Sequence, residues 1–118
     1  MSSRWSEVVV DAVDPARLGR WWAEVLDYHL LSEDLDEVVI GLAEDTYPRL
    51  LFGRIAEPKC GKNRLHLDLT PDDQEAEVER LVDMGARRVD IGQGDEVPWV
   101  VLADPEGNEF CVLRPRVG

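Results

Sequence analysis

No apolar run in this sequence extends beyond a few residues, whereas a membrane-spanning helix needs about 20. Basic residues are scarce as well, 13 against 25 acidic ones, for a net charge of −12. That balance argues against nucleic acid as a partner, because phosphates demand a basic footprint. Cysteine is limited to Cys60 and Cys111, too few for a disulfide framework. Residues 1–4 carry no apolar signal segment and no cleavage site, so a reduced, cytoplasmic setting is expected. No glycine-rich phosphate loop leads from a strand into a helix, which leaves nucleotide binding without support.

What is present is ordinary globular material. With 118 residues, 44% of them hydrophobic, one domain spanning 1–118 is expected, long enough to bury its own core. The acidic surface is compatible with solubility alone. It is also compatible with attraction of a cationic small molecule. Four tryptophans in so short a chain offer faces for cations and flat rings.

The hydrophobic pattern runs through the same order twice. Glu7–Val13 is a β-branched run and predicts a strand. Asp14 and Pro15 suit an N-cap and a first helical position, and Leu18, Trp21, Trp22, Val25 and Leu26 then recur at helical spacing. Three strands follow at about 28–32, 37–42 and 49–55, with turn residues at 34–36 and 44–48. Residues 56–63 read as a linker. A second strand over Arg64–Leu69 meets the cap-rich Thr70-Pro71-Asp72-Asp73. A helix carrying Ala76, Val78, Leu81, Val82 and Met84 ends at Gly85. Strands are expected at about 87–91, 99–103 and 109–113, with Asp104–Asn108 as a turn. The prediction is an α+β fold of two βαβββ modules, about 5–56 and 63–115, offset by about 58 residues counted from Asp14 to Asp72. One module leaves a bare sheet face, so the two are expected to pair into a curved mixed sheet around a shared cleft.

The richest chemistry lies in Arg64-Leu65-His66-Leu67-Asp68-Leu69-Thr70. Strict alternation predicts one face of Leu65, Leu67 and Leu69, and an opposite face of Arg64, His66, Asp68 and Thr70. Glu109 and Cys111 share one face of the last strand, and Glu7 and Asp11 one face of the first. Trp5 and Trp99, at strand starts, are candidates for a cleft rim. Trp21 and Trp22 are expected in the core, and His29 at an edge. Cys60 has basic neighbours in Lys59-Cys60-Gly61-Lys62 and is the more reactive thiol of the two on this reading.

Three blocks carry a resemblance. They are Asp14-Pro15-x-x-Leu18 with Trp21-Trp22-x-x-Val25-Leu26, then Lys62–Leu69, then Trp99-x-x-Leu102-x-Asp104-Pro105-Glu106-Gly107-Asn108-Glu109-Phe110. Together they resemble the glyoxalase/bleomycin-resistance/dioxygenase family, also called the vicinal oxygen chelate family, and within it the glyoxalase-like domain subgroup. The resemblance implies a divalent metal (zinc, nickel, manganese or iron) or, in sequestering members, none. It also implies a small-molecule ligand and a homodimer. Carried over by position, the metal ligands would be His66, Glu109 and Glu7. The fourth position falls on Leu51, Phe52 or Gly53, which cannot ligate.

Two readings of the chemistry follow. In the first, a metal on these residues acts as a Lewis acid toward an oxygen-chelating substrate, in a lyase, isomerase or dioxygenase reaction. Glu109 and Asp68 are then the candidate catalytic carboxylates, Asp68 as a further ligand, a water-orienting group or a base. In the second, a metal-free protein sequesters a cationic or aromatic compound, as bleomycin-resistance proteins do, with Trp5, Trp99, Asp11 and Cys111 as ligand-binding residues. His66 is then a histidine bonded to a neighbouring carboxylate, and Glu109 a structural group at the start of its strand.

Overall fold

β-branched Val8, Val9 and Val10 favour an extended backbone, and β1 (Glu7–Ala12) forms there. The computed structural model describes residues 2–90 and 97–116 and separates them into two compact units, Met1–Pro58 and Lys59–Gly118.

In the first unit, α1 (Pro15–Leu26) follows β1, and Asp14 caps it by accepting from Arg17 N at 3.1 Å. Asp27 closes the helix in the left-handed region, at φ 55°. β2 (His29–Glu33), β3 (Glu37–Gly41) and β4 (Arg49–Arg54) complete a sheet of order β1-β4-β3-β2. β1 runs parallel to β4, and the other pairs are antiparallel. Leu18, Trp21, Trp22 and Val25 form the buried stripe of α1, while Val38, Ile40, Leu50 and Phe52 are the buried residues of β3 and β4. Each such side chain contributes about 1.5–3 kcal/mol by burial. Gly19 sets how close the helix lies: a Cβ there would stand 2.6 Å from Val38 Cγ1. The rings of Trp21 and Trp22 meet edge to face at 5.1 Å, so both are core, as expected. The opposite face of β1, with Glu7, Val9 and Asp11, is exposed. His29 is exposed on β2, an edge strand of this sheet.

The second unit repeats the plan. β5 (Asp68–Leu69), α2 (Gln74–Asp83), β6 (Arg87–Arg88), β7 (Val100–Ala103) and β8 (Glu109–Val112) give a sheet of order β5-β8-β7-β6. β5 is parallel to β8 and the remaining pairs are antiparallel. Val78, Leu81, Ala86, Val101, Leu102, Phe110 and Val112 are its buried core. Gln74 of α2 donates to Val112 O at 3.0 Å, which ties helix to sheet. The turn after β7 is organised by Asp104, buried to 1% exposure. Its Oδ1 accepts from Glu106 N and Asn108 N at 2.9 and 3.0 Å. The α+β class and the doubled strand order are those expected from the sequence.

Three details differ. The strand expected over Arg64–Leu69 is confined to its last two residues, and Leu65 is 84% exposed while Leu67 and Leu69 are only half-buried. In the β5–β8 register, Leu67 N–H would bond next to Glu109 O. That oxygen instead accepts from Asn63 Nδ2 at 2.9 Å, and the ladder stops at Cys111 N to Leu67 O. Within the cap-rich Thr70–Asp73 stretch the helix cap is Asp73, as that stretch allows; it accepts from Ala76 N at 3.1 Å. Lys59 and Asn63, read as linker, are bonded within the second unit. The strand expected over 87–91 is short, although Val89 N still bonds Val101 O at 3.1 Å; Ile91 lies outside the described residues.

Candidate functional site

β8 begins directly after the Asp104 turn, so its register is set at one end by that buried carboxylate and at the other by Gln74. Alternation then sends Phe110 and Val112 into the core and leaves Glu109 and Cys111 on the opposite face. These two residues belong to different clusters.

Glu109 is enclosed by its own unit. Lys59 Nζ lies 2.7 Å from Oε2, and Asn63 N donates to Oε1 at 3.0 Å. The side chains of Lys59 and Glu109 are 20% and 11% exposed. Lys59 also donates to Gly61 O, which holds the loop around the ammonium. Burial pushes the Glu109 carboxyl up, but the bonds from Lys59 and Asn63 and the lysine charge outweigh it and hold the group below its ordinary value. The carboxylate is therefore ionised and already neutralised by a lysine.

His66, Asp68 and Cys111 form the other cluster. His66 Nε2 stands 3.1 Å from Asp68 Oδ1, and the ligating atoms of all three lie within 4.8 Å of one another. Asp68 and Cys111 are register partners in the parallel β5–β8 pair. Burial pushes the Cys111 thiol up, and the charge of Asp68 and a hydrogen bond to it add to the effect. His66 and Asp68 are about half exposed, so the cluster is open to solvent on their side. Both cysteines are free, Cys60 exposed and Cys111 buried.

The first unit contributes candidates of another kind. Glu7 and Asp11 are exposed on β1, opposite Arg49 and Gly53 in register. Arg49 lies over the Tyr47 ring at 4.2 Å. Trp5 is 65% exposed, and in the second unit Trp99 is 37% exposed. Glu109 stands outside the His66–Asp68–Cys111 group, which among the described residues is the convergence of metal-ligating atoms. The ligand set of His66, Glu109 and Glu7 therefore does not fit a resident metal, because a divalent cation on Glu109 would have to displace the ammonium of Lys59. Sequence reasoning missed Lys59 and Asn63 as partners of Glu109. The other cluster is assembled by the parallel β5–β8 pairing, which sets residue 68 beside residue 111; strand parity alone puts His66 with Asp68 and Glu109 with Cys111, without joining the two pairs.

Two units of like strand order, each with one helix beside a mixed four-stranded sheet, define an α+β protein of repeated βαβββ modules. Residues 7–113 match the glyoxalase-like domain, and the chain belongs to that family. No curated protein matches it in sequence. Its fold is shared with trypanothione-dependent glyoxalase I of Leishmania major at 15% identity and TM-score 0.72, covering 96% of this chain and 87% of that one. A glyoxalase/bleomycin resistance protein/dioxygenase family enzyme from Burkholderia phytofirmans is similar at 18% identity and TM-score 0.71, with 94% and 98% covered. The bleomycin-binding protein of Streptomyces verticillus, in complex with copper(II)-bleomycin, is similar at 16% identity and TM-score 0.61, with 98% and 99% covered. No helix among the described residues is long and apolar enough to cross a membrane.

Proposed function

We propose that this protein binds a small molecule of cationic or aromatic character and does so without a metal on Glu109, as a sequestering member of its family rather than a lyase, isomerase or dioxygenase built on that carboxylate. The observation that supports this reading is the 2.7 Å contact between Lys59 and Glu109. An ammonium at that distance supplies the positive charge a metal would otherwise bring, and Asn63 occupies the second oxygen. The net charge of −12 favours a cationic ligand over an anionic one. Each unit exposes a tryptophan suited to such a compound, Trp5 in the first and Trp99 in the second. Similarity to a bleomycin-binding protein agrees with this reading. A cytoplasmic setting, expected from the sequence, and a homodimer, implied by the family resemblance, complete it.

A second reading, a metal-dependent enzyme acting on an oxygen-chelating substrate, is favoured by the convergence of His66, Asp68 and Cys111. Titration of tryptophan fluorescence with a panel of cationic aromatic compounds, in the presence of a chelator, separates the two. Saturable binding without turnover, weakened by salt, is expected. A response confined to neutral or anionic compounds, or binding that requires a divalent metal and disappears in Glu109→Gln, would overturn the proposal.

A further inference from the structure

We propose that His66, Asp68 and Cys111 form a zinc-binding site that is separate from Glu109. The inference rests on the geometry of β5 and β8 and stands whether or not the ligand reading above is correct.

The ligand atoms are an imidazole nitrogen, a carboxylate oxygen and a thiol sulfur, all within 4.8 Å of one another. In a tetrahedral zinc site with bonds of about 2.0–2.3 Å, neighbouring ligand atoms lie roughly 3.3–3.7 Å apart. His66 Nε2 and Asp68 Oδ1, at 3.1 Å, already stand close to such an edge. The sulfur belongs to the fixed part of the site. Cys111 is buried, and its backbone N–H is held by Leu67 O at 2.9 Å. The adjustment falls on His66 and Asp68, whose half-exposed side chains have room to turn toward it.

The donor chemistry selects the ion. A thiolate with an imidazole disfavours magnesium and calcium, which take oxygen ligands, and suits zinc, which takes nitrogen and sulfur. The Cys111 S–H bond breaks as the Zn–S bond forms, and its proton leaves to solvent. Three protein ligands leave a fourth position for water or a ligand atom, the pattern of open zinc sites. Of the positions the family resemblance carries over as ligands, His66, Glu109 and Glu7, the set keeps only His66; Asp68, a further ligand on that reading, stays, and Cys111 is new. The carboxylate moves from Glu109 to Asp68, and a thiolate two residues further along β8 joins it. Lys59 makes that change intelligible, because it occupies Glu109 and leaves Cys111 as the next ligating side chain on the same strand face.

Cobalt(II) added to the freshly reduced full chain reads the site directly, because a thiolate ligand produces a charge-transfer band in the near ultraviolet. One equivalent of cobalt with that band, displaced by one equivalent of zinc, is expected. Cys111→Ser should abolish the band and weaken zinc binding at least tenfold, and His66→Ala should weaken it by a similar factor. Cys60→Ser and Glu109→Gln should leave both unchanged. Absence of stoichiometric binding to the unsubstituted chain overturns the site. So does a band that disappears with Cys60→Ser, or binding that is lost in Glu109→Gln and kept in Cys111→Ser. Because the band is read on the unsubstituted protein and His66 is exposed, a folding defect in Cys111→Ser does not decide the outcome.

Discussion

The two units have the same strand order and opposite chemistry on the strand beside their first. In the first unit that strand, β4, gives Leu51 and Gly53 to the face away from its buried residues, opposite Val9 and Asp11. In the second unit the corresponding strand, β8, gives Glu109 and Cys111. Topology is thus preserved while the ligating residues are concentrated in one copy. Within that copy the two neighbours on β8 differ again. Glu109 is closed off by an ammonium and an amide, and Cys111 lies beside an open His–Asp pair. A repeated scaffold fixes where side chains emerge, and the neighbours of each determine whether it is structural or available.

The largest expected effect tests the shared part of this comparison. Phe52 and Phe110 hold matching positions on β4 and β8, with 0% and 1% exposure. Truncation of either to alanine should cost about 3–5 kcal/mol in denaturant unfolding. A large cost for one and a negligible cost for the other would break the equivalence of the two cores.

The next prediction concerns acid. Glu109 has a folded-state pKa below its ordinary 4.5. Its contribution to stability is fully present above that ordinary value and is lost as pH falls through the lowered one. Glu109→Gln should therefore flatten the acid limb of a stability–pH curve measured by urea unfolding. An unchanged acid limb would mean that the carboxylate is not held as described. The smallest effect is expected at the other cluster. The His66–Asp68 pair is about half exposed on both sides, and His66→Ala should change stability by less than about 1 kcal/mol. A loss of several kcal/mol would show that the pair is a core element rather than an accessible one.

Much of the fold was legible because local signals agreed with the global plan. The Val8–Val10 run, Asp14 with Pro15, the helical stripe from Leu18 to Val25 and the Asp104–Asn108 turn each settle an element without help from distant residues. Alternation also put Glu109 and Cys111 correctly on one face. The same rule failed at Leu65, because Asn63 takes the acceptor that a longer β5 would use, a bond between residues 46 apart in sequence. Lys59 was invisible for a related reason. A lysine in a Pro-Lys-Cys-Gly stretch looks like solvated linker until the loop is seen to bring it to Glu109. The pairing of Asp68 with Cys111 likewise depends on strand register, which hydrophobic pattern leaves open when one strand has only two residues.

The central claim, that Glu109 is neutralised from within the protein, is tested most directly by a double-mutant cycle of Lys59→Met and Glu109→Gln in urea unfolding at neutral pH. Exposed ion pairs couple by about 1 kcal/mol or less, and breaking a buried one costs about 3–5 kcal/mol. With side chains 20% and 11% exposed, a coupling of about 2 kcal/mol is predicted, with the double variant more stable than Lys59→Met alone. A coupling near zero, together with stabilisation of the unsubstituted chain by a divalent metal that vanishes in Glu109→Gln, would contradict it.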